Sequence, residues 1–194
     1  MSEAPTRRLF FALWPDDLQR AALKHATAKT VRRCGGRPVS EPNLHVTLAY
    51  LGSVPEARIE ELSTIGRRTA AAFPRSALPI LVSLEGFEHW AKPQLLTVVG
   101  EPAAAGSPAT GVAGLARTLT RETAESGFSP DHKPFRAHVT VARKVTRPPR
   151  SCALPEVSWS FDAFALIESR TLAEGPVYSV VESYVLGGAE KMRT

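Results

Sequence analysis

The stretch Asn43-Leu44-His45-Val46-Thr47-Leu48 returns, in its decisive part, as Ala137-His138-Val139-Thr140-Val141. Side chains alternate faces along a β-strand, so in an extended chain His45 and Thr47 share one face while Leu44, Val46 and Leu48 share the other. The second copy sorts in the same way, with His138 and Thr140 opposite Ala137, Val139 and Val141. A single His-Val-Thr-aliphatic run is ordinarily a half-exposed strand without chemistry. Two such runs in a chain of only five histidines point to a paired site. Side by side, the two strands would set two imidazoles and two hydroxyl donors around one small cleft. That is equipment for moving protons and holding an anion.

Outward from the motifs, strands and helices interleave. Leu9 to Leu13 reads as a buried strand ending at Pro15, and Asp16 and Asp17 open a helix that Gly35-Gly36 stops. Acidic side chains suit the positive end of a helix, and glycine suits its C-terminal exit. The first motif strand is expected within Val39 to Leu51, after the turn Glu41-Pro42-Asn43. Pro55 to Phe73 is a second helix, with Ile59, Leu62, Ile65 and Thr69 on one face at helical spacing. Leu78 to Phe87 and Leu95 to Val99 read as paired strands, separated by a loop holding His89, Trp90, Lys92 and Pro93. Glu101 to Pro108 is rich in Ala, Gly and Pro and reads as an exposed connection. Gly111 to Glu125 makes a third helix, with Leu115 and Leu119 inward. Asp131 to Pro134 turns into the second motif strand, Phe135 to Lys144, and Arg147 to Arg150 is a basic, Pro-rich loop. Val157 to Glu168 and Val177 to Leu186 complete the pattern as antiparallel neighbours, and Gly187 to Thr194 reads as a frayed tail.

The predicted architecture is α+β, with two pseudo-symmetric lobes around a central cleft, each an antiparallel sheet with outer helices. The 194 residues suit one two-lobed domain over 1–194, with its core in 8–186. A composition of 43% hydrophobic and 22% charged residues is that of an ordinary globular protein. The net charge of +5 favours anionic partners such as RNA, nucleotides or phosphorylated metabolites. Cys34 and Cys152 are the only cysteines and form no CxxC pair, so reduced thiols and a cytoplasmic setting are expected. Met1 to Arg8 does not read as a secretory leader, no run reaches membrane-spanning length, and a monomer is expected. Walker, GxSxG, HExxH and GxGxxG signatures are missing, which argues against an ATP-driven ligase. Two histidines are too few for a closed zinc site.

In combination these segments resemble the 2H phosphoesterase superfamily, and within it the RNA 2′,3′-cyclic phosphodiesterases, also called 2′-5′ RNA ligase-like proteins. The likeness rests on Arg8-Leu9-Phe10-Phe11-Ala12-Leu13, Asn43 to Leu48 with Leu51-Gly52, Lys133-Pro134-Phe135-Arg136, His138 to Arg143, and Ala165-Leu166-Ile167-Glu168-Ser169. It extends from about residue 8 to residue 186. Tyr50 stands where the family commonly has phenylalanine, a change of little consequence on a packing face, and Ala137 replaces a usual proline.

The resemblance implies hydrolysis of RNA 2′,3′-cyclic phosphate ends to a 2′-phosphomonoester, with neither metal nor cofactor. It implies His45 as the acid protonating the leaving oxygen and His138 as the base activating water. Imidazole suits both tasks, since an unperturbed pKa of about 6.5 leaves either proton state accessible at neutral pH. Thr47 and Thr140 would donate to the non-bridging oxygens. Arg143 is the family's phosphate-side arginine, although strict alternation puts it on the face opposite His138 unless a bulge intervenes. Further candidate substrate contacts are Arg136, on the face of His138, and Trp90 and Phe10 as stacking surfaces. For Phe10 core packing is the stronger expectation. His25, His89 and His132 are expected to take no catalytic part. The rival readings are a 2′-5′ RNA ligase or phosphodiesterase, a small cyclic-nucleotide hydrolase, and a non-catalytic RNA-end binding module.

Overall fold

The computed structural model describes residues 4–100, 111–131, 134–149, 153–173 and 175–188. The expected connection Glu101 to Pro108, and with it His132, Lys133, Cys152 and 189–194, lies outside them.

The strands in chain order are β1 (Thr6–Leu13), β2 (Arg37–Pro38), β3 (Val46–Pro55), β4 (Ile80–Trp90), β5 (Leu95–Gly100), β6 (His138–Arg143), β7 (Ala153–Phe161), β8 (Ala163–Leu172) and β9 (Gly175–Val185). The helices are α1 (Asp17–Arg33), α2 (Ile59–Ala72) and α3 (Gly111–Glu125). Two antiparallel sheets result, ordered β3-β1-β8-β9 and β2-β6-β5-β4-β7. The α+β reading with two sheets and a shared cleft holds. Four strands of each sheet correspond, with β2 extra at the edge of the second: each motif strand, β3 or β6, lies beside a strand from which a helix separates it in the chain, β1 or β5.

Local chemistry sets the element ends. Asp16 accepts the Gln19 backbone N–H at 2.7 Å while the Gln19 side chain takes the Asp16 N–H, a reciprocal cap. Gly35, at φ +65, ends α1; its missing side chain matters, since a Cβ would meet the Thr146 hydroxyl at 2.5 Å. The apolar stripe of α2 lies on the outer face of the first sheet, where Phe11, Phe164 and Tyr184 form an aromatic cluster. The helix comes so close that a Cβ on Gly66 would stand 2.5 Å from the Tyr184 ring. Under α1, the fully buried Trp159 of β7 donates its indole N–H to the Gln19 carbonyl. Burial of a side chain that size contributes about 3 kcal/mol.

Two expectations change. Val157 to Glu168 is not one strand: the chain bends at Asp162, leaving β7 in the second sheet and β8 in the first. β7 buries one row, Val157, Trp159 and Phe161, whereas β8 buries both, Phe164 and Leu166 in the same main core and Ala165 and Ile167 against Phe10 and Ala12. β4 also runs through His89 and Trp90, so the hairpin turn is confined to Ala91–Gln94, where Gln94 adopts φ 53. At the other end, Gly187 and Gly188, placed in the expected tail, are held by Arg75, and Gly187 also donates to the Ala70 carbonyl.

Candidate active site

Both motifs open on one cavity of about 120 Å3 between the sheets, lined by His45, Thr47, His138 and Thr140. The backing residues Val46, Leu48, Val139 and Val141 are buried, so the alternation that paired each imidazole with a hydroxyl is realised in both strands.

Beyond each threonine the alternation breaks, identically. In β3 the partner of Phe11 is Ala49 and that of Ala12 is Thr47, which leaves Leu48 as an extra residue. In β6 the partner of Leu96 is Ala142 and that of Thr97 is Thr140, which leaves Val141 extra. Each is a β-bulge, which re-aims every side chain after it. Arg143 is thereby turned to the cleft and lines the cavity, so the bulge on which its place depended is present. Tyr50, expected on a packing face, is turned the same way. It is 38% exposed, lines the cavity, and its hydroxyl accepts from the Arg8 Nε at 3.1 Å.

The two imidazoles are anchored alike. His45 Nδ1 lies 2.7 Å from the Asn43 carbonyl, and His138 Nδ1 lies 2.9 Å from the Arg136 carbonyl. A carbonyl only accepts, so Nδ1 carries the proton in each ring and Nε2 is left for chemistry. In His45 the neutral Nε2 accepts from the Thr47 hydroxyl at 3.1 Å.

Their surroundings differ. His45 is caged by Phe10 at 5.0 Å, Trp14 at 5.7 Å and the edge of Tyr178 at 5.1 Å, centroid to centroid. Arg20 in turn lies over Trp14 at 4.8 Å. Desolvation in this cage, with smaller repulsion from His138, Arg143 and Arg20, pushes the His45 pKa down to about 4 against the pull of the Asn43 carbonyl. His138 has one aromatic neighbour, Trp90, at 4.6 Å. Burial lowers its pKa too, opposed by the Arg136 carbonyl and the charge of Glu88.

The sequence matches the profile of the 2′-5′ RNA ligase superfamily over residues 14–172. The chain belongs to that superfamily. It is 33% identical to an RNA 2′,3′-cyclic phosphodiesterase of Thermus thermophilus over 187 residues, covering 93% of this chain and 91% of that one. It is 30% identical to the Escherichia coli protein of the same name over 160 residues, covering 80% and 81%. Among solved structures, Escherichia coli LigT complexed with 3′-AMP superposes with a TM-score of 0.80 at 25% identity, covering 95% of this chain and all of LigT.

In this member of the 2′-5′ RNA ligase superfamily, three further residues shape the site; Tyr178 and Glu88 did not stand out in the sequence, and Asn43 stood there only as a turn and motif residue. Tyr178 of β9 accepts from Arg143 Nη2 at 3.4 Å, so a hydrogen bond joins the two sheets across the cavity. Asn43 donates its side-chain amide to the Pro176 carbonyl at 2.7 Å, which ties the start of β9 to the loop that holds His45. Glu88 of β4 accepts from Arg136 at 2.6 Å. That ion pair lies in a larger groove next door, which Trp90 also lines. Phe10 reaches the cavity wall but is 3% exposed, packed on His45. His25 is exposed on α1, and His89 lines neither cavity. Among the described residues, no three or more His, Cys, Asp or Glu side chains gather as metal ligands, and no helix is long and apolar enough to cross a membrane. Cys34 is a buried free thiol.

Proposed function

We propose that this protein hydrolyses the 2′,3′-cyclic phosphate at the end of an RNA chain to a 2′-phosphomonoester, without a metal and in the cytoplasm. The observation that carries the reading is the pair of Nδ1-anchored imidazoles, each with its threonine, on one phosphate-sized cavity. The names of the relatives point to the same substrate.

Water attacks phosphorus, the bond from phosphorus to O3′ breaks, and the phosphate stays on O2′. His138, neutral at rest, takes the proton of the attacking water. His45 supplies a proton to O3′. The cage keeps His45 neutral until an anion enters; the phosphate charge beside Nε2 then draws a proton onto it. Protonation removes the lone pair that held the Thr47 hydroxyl, which is freed to donate to a non-bridging oxygen. Thr140 and Arg143 meet the charge from the other sheet. A general acid and base of this kind contribute about 10²–10⁴-fold each.

The test is an assay of chelator-treated protein on RNA bearing a 2′,3′-cyclic end, with the phosphomonoester identified. A 2′-phosphate is expected. A 3′-phosphate product or a dependence on added metal would overturn the mechanism. Tight binding without turnover would favour an RNA-end binding module.

A further inference from the structure

Tyr50 brings to the phosphate cavity a group that neither motif supplies, a phenol. Three contacts fix it there. It lies directly opposite Phe10 in the β1–β3 pair, and Phe10 packs on the His45 ring; partners of this kind stand on one face of a sheet. The Tyr50 carbonyl accepts the Asp131 backbone N–H at 3.1 Å. The hydroxyl accepts from Arg8 Nε at 3.1 Å. Arg8 is exposed, two residues before Phe10 on the same face of β1.

The direction of that last bond decides what the phenol can do. A tyrosine hydroxyl has one proton to give and lone pairs to receive, whereas a guanidinium N–H only donates. The bond from Arg8 therefore occupies a lone pair and leaves the Tyr50 proton to be given elsewhere. Accepting from a cation also polarises the O–H and makes it a stronger donor. Asp131 and Glu88, the carboxylates on the adjoining groove, do not line the cavity, and both are engaged, Glu88 with Arg136.

The first sheet needs such a donor. Thr47 lies 3.1 Å from His45 Nε2 and gives its proton to that ring while the imidazole is neutral. Thr140 and Arg143 stand on β6 in the second sheet. An arriving anion thus meets donors on one side of the cleft from β6, and on the other side from Tyr50.

We infer that the Tyr50 hydroxyl, held by Arg8, donates to a non-bridging oxygen of the substrate phosphate from the side opposite Arg143, with Arg8 as the positioning residue that directs it. The inference rests on the proposed phosphodiesterase reading and adds the group that receives the anion before His45 is protonated.

Tyr50→Phe removes one oxygen and keeps the ring beside Phe10, so the fold is retained. The experiment measures kcat and KM on a cyclic-ended RNA, inhibition by inorganic phosphate, and calorimetric binding of phosphate. Tyr50→Phe should lower kcat/KM by about ten- to a hundredfold, the range for one hydrogen bond to a charged group, and should weaken phosphate inhibition. Most of the loss should fall in KM, because the bond forms when the anion binds. Arg8→Gln should give a smaller loss of the same kind in the wild type and little in Tyr50→Phe, and Arg8→Lys should restore part of it. Wild-type kinetics and phosphate inhibition in Tyr50→Phe overturn the inference and leave the phosphodiesterase reading standing, and so does a loss confined to kcat. An equal loss from Arg8→Gln in both backgrounds overturns the positioning role of Arg8. If the wild type turns over no cyclic-ended RNA, the phosphodiesterase reading falls, and calorimetric binding of phosphate by Tyr50→Phe still decides the donor: weaker binding supports it and unchanged binding overturns it.

Discussion

Tyr50 and Arg143 occupy equivalent places in the two sheets. Each follows a motif histidine by five residues, and each is turned into the cleft by a bulge at the residue after the motif threonine, Leu48 or Val141. The phosphate cavity is therefore symmetric in backbone and asymmetric in charge: a phenol at one rim, a guanidinium at the other. Tyr178 meets that guanidinium from the opposite sheet.

His45→Ala and His138→Ala should each lower kcat on a cyclic-ended RNA by about 10²–10⁴-fold, with the circular dichroism spectrum retained. Thr47→Ala and Thr140→Ala should cost about ten- to a thousandfold each, as expected for one lost anion donor. Near-normal rates in either purified histidine variant would remove the mechanism.

Phosphate binding should be coupled to proton uptake. The His45 pKa of about 4 in the free protein must rise when an anion enters. Calorimetric titration with inorganic phosphate near pH 6, in two buffers of different ionisation enthalpy, should show net uptake in the wild type and less in His45→Gln. Identical proton release or uptake in both proteins would count against the role given to His45.

The same group makes stability depend on pH. Folded His45 titrates near 4, unfolded His near 6.5, so between those values the unfolded chain binds more protons. Its contribution is fully present above pH 6.5 and is lost as the pH falls toward 4; His138 is shifted in the same direction. Urea midpoints should fall over that window in the wild type and fall less in His45→Gln.

Tyr178→Phe keeps the ring against His45 and removes the acceptor for Arg143. Inhibition by inorganic phosphate should weaken by about two- to tenfold, and Arg143→Gln should weaken it by more. In the double variant the tyrosine change should add little, because it acts through the arginine. Full additivity in that cycle would show that the hydroxyl works independently of Arg143.

Gly66→Ala tests the packing of α2. A methyl group there would stand 2.5 Å from the Tyr184 ring, and such overpacking costs about 1–3 kcal/mol. A lower thermal midpoint with unchanged kcat is the expected result, since α2 lies on the face away from the cavity. An unchanged midpoint would show that Tyr184 has room to move.

The histidine–threonine pairs were readable from the chain because the period of two along a strand is a local rule: it places His45 with Thr47 and His138 with Thr140 whatever the strands pack against. The cap at Asp16, the stop at Gly35 and the bounds of α3 are local in the same sense. The bulges also left a trace. Leu48-Ala49 and Val141-Ala142 set two apolar residues together just before Tyr50 and Arg143, which strict alternation does not allow.

What the chain alone determined, then, is which side chains share a face, because that depends on neighbours two to five residues away. Which faces meet was decided by the tertiary structure. Tyr178 and Arg143 are brought together from different sheets, Asn43 reaches Pro176 across more than a hundred residues, and Glu88 comes to Arg136 from the far side of β5. The aromatic cage that keeps His45 neutral belongs to the same class. Desolvation depends on everything packed around a group, and no spacing along the chain records it.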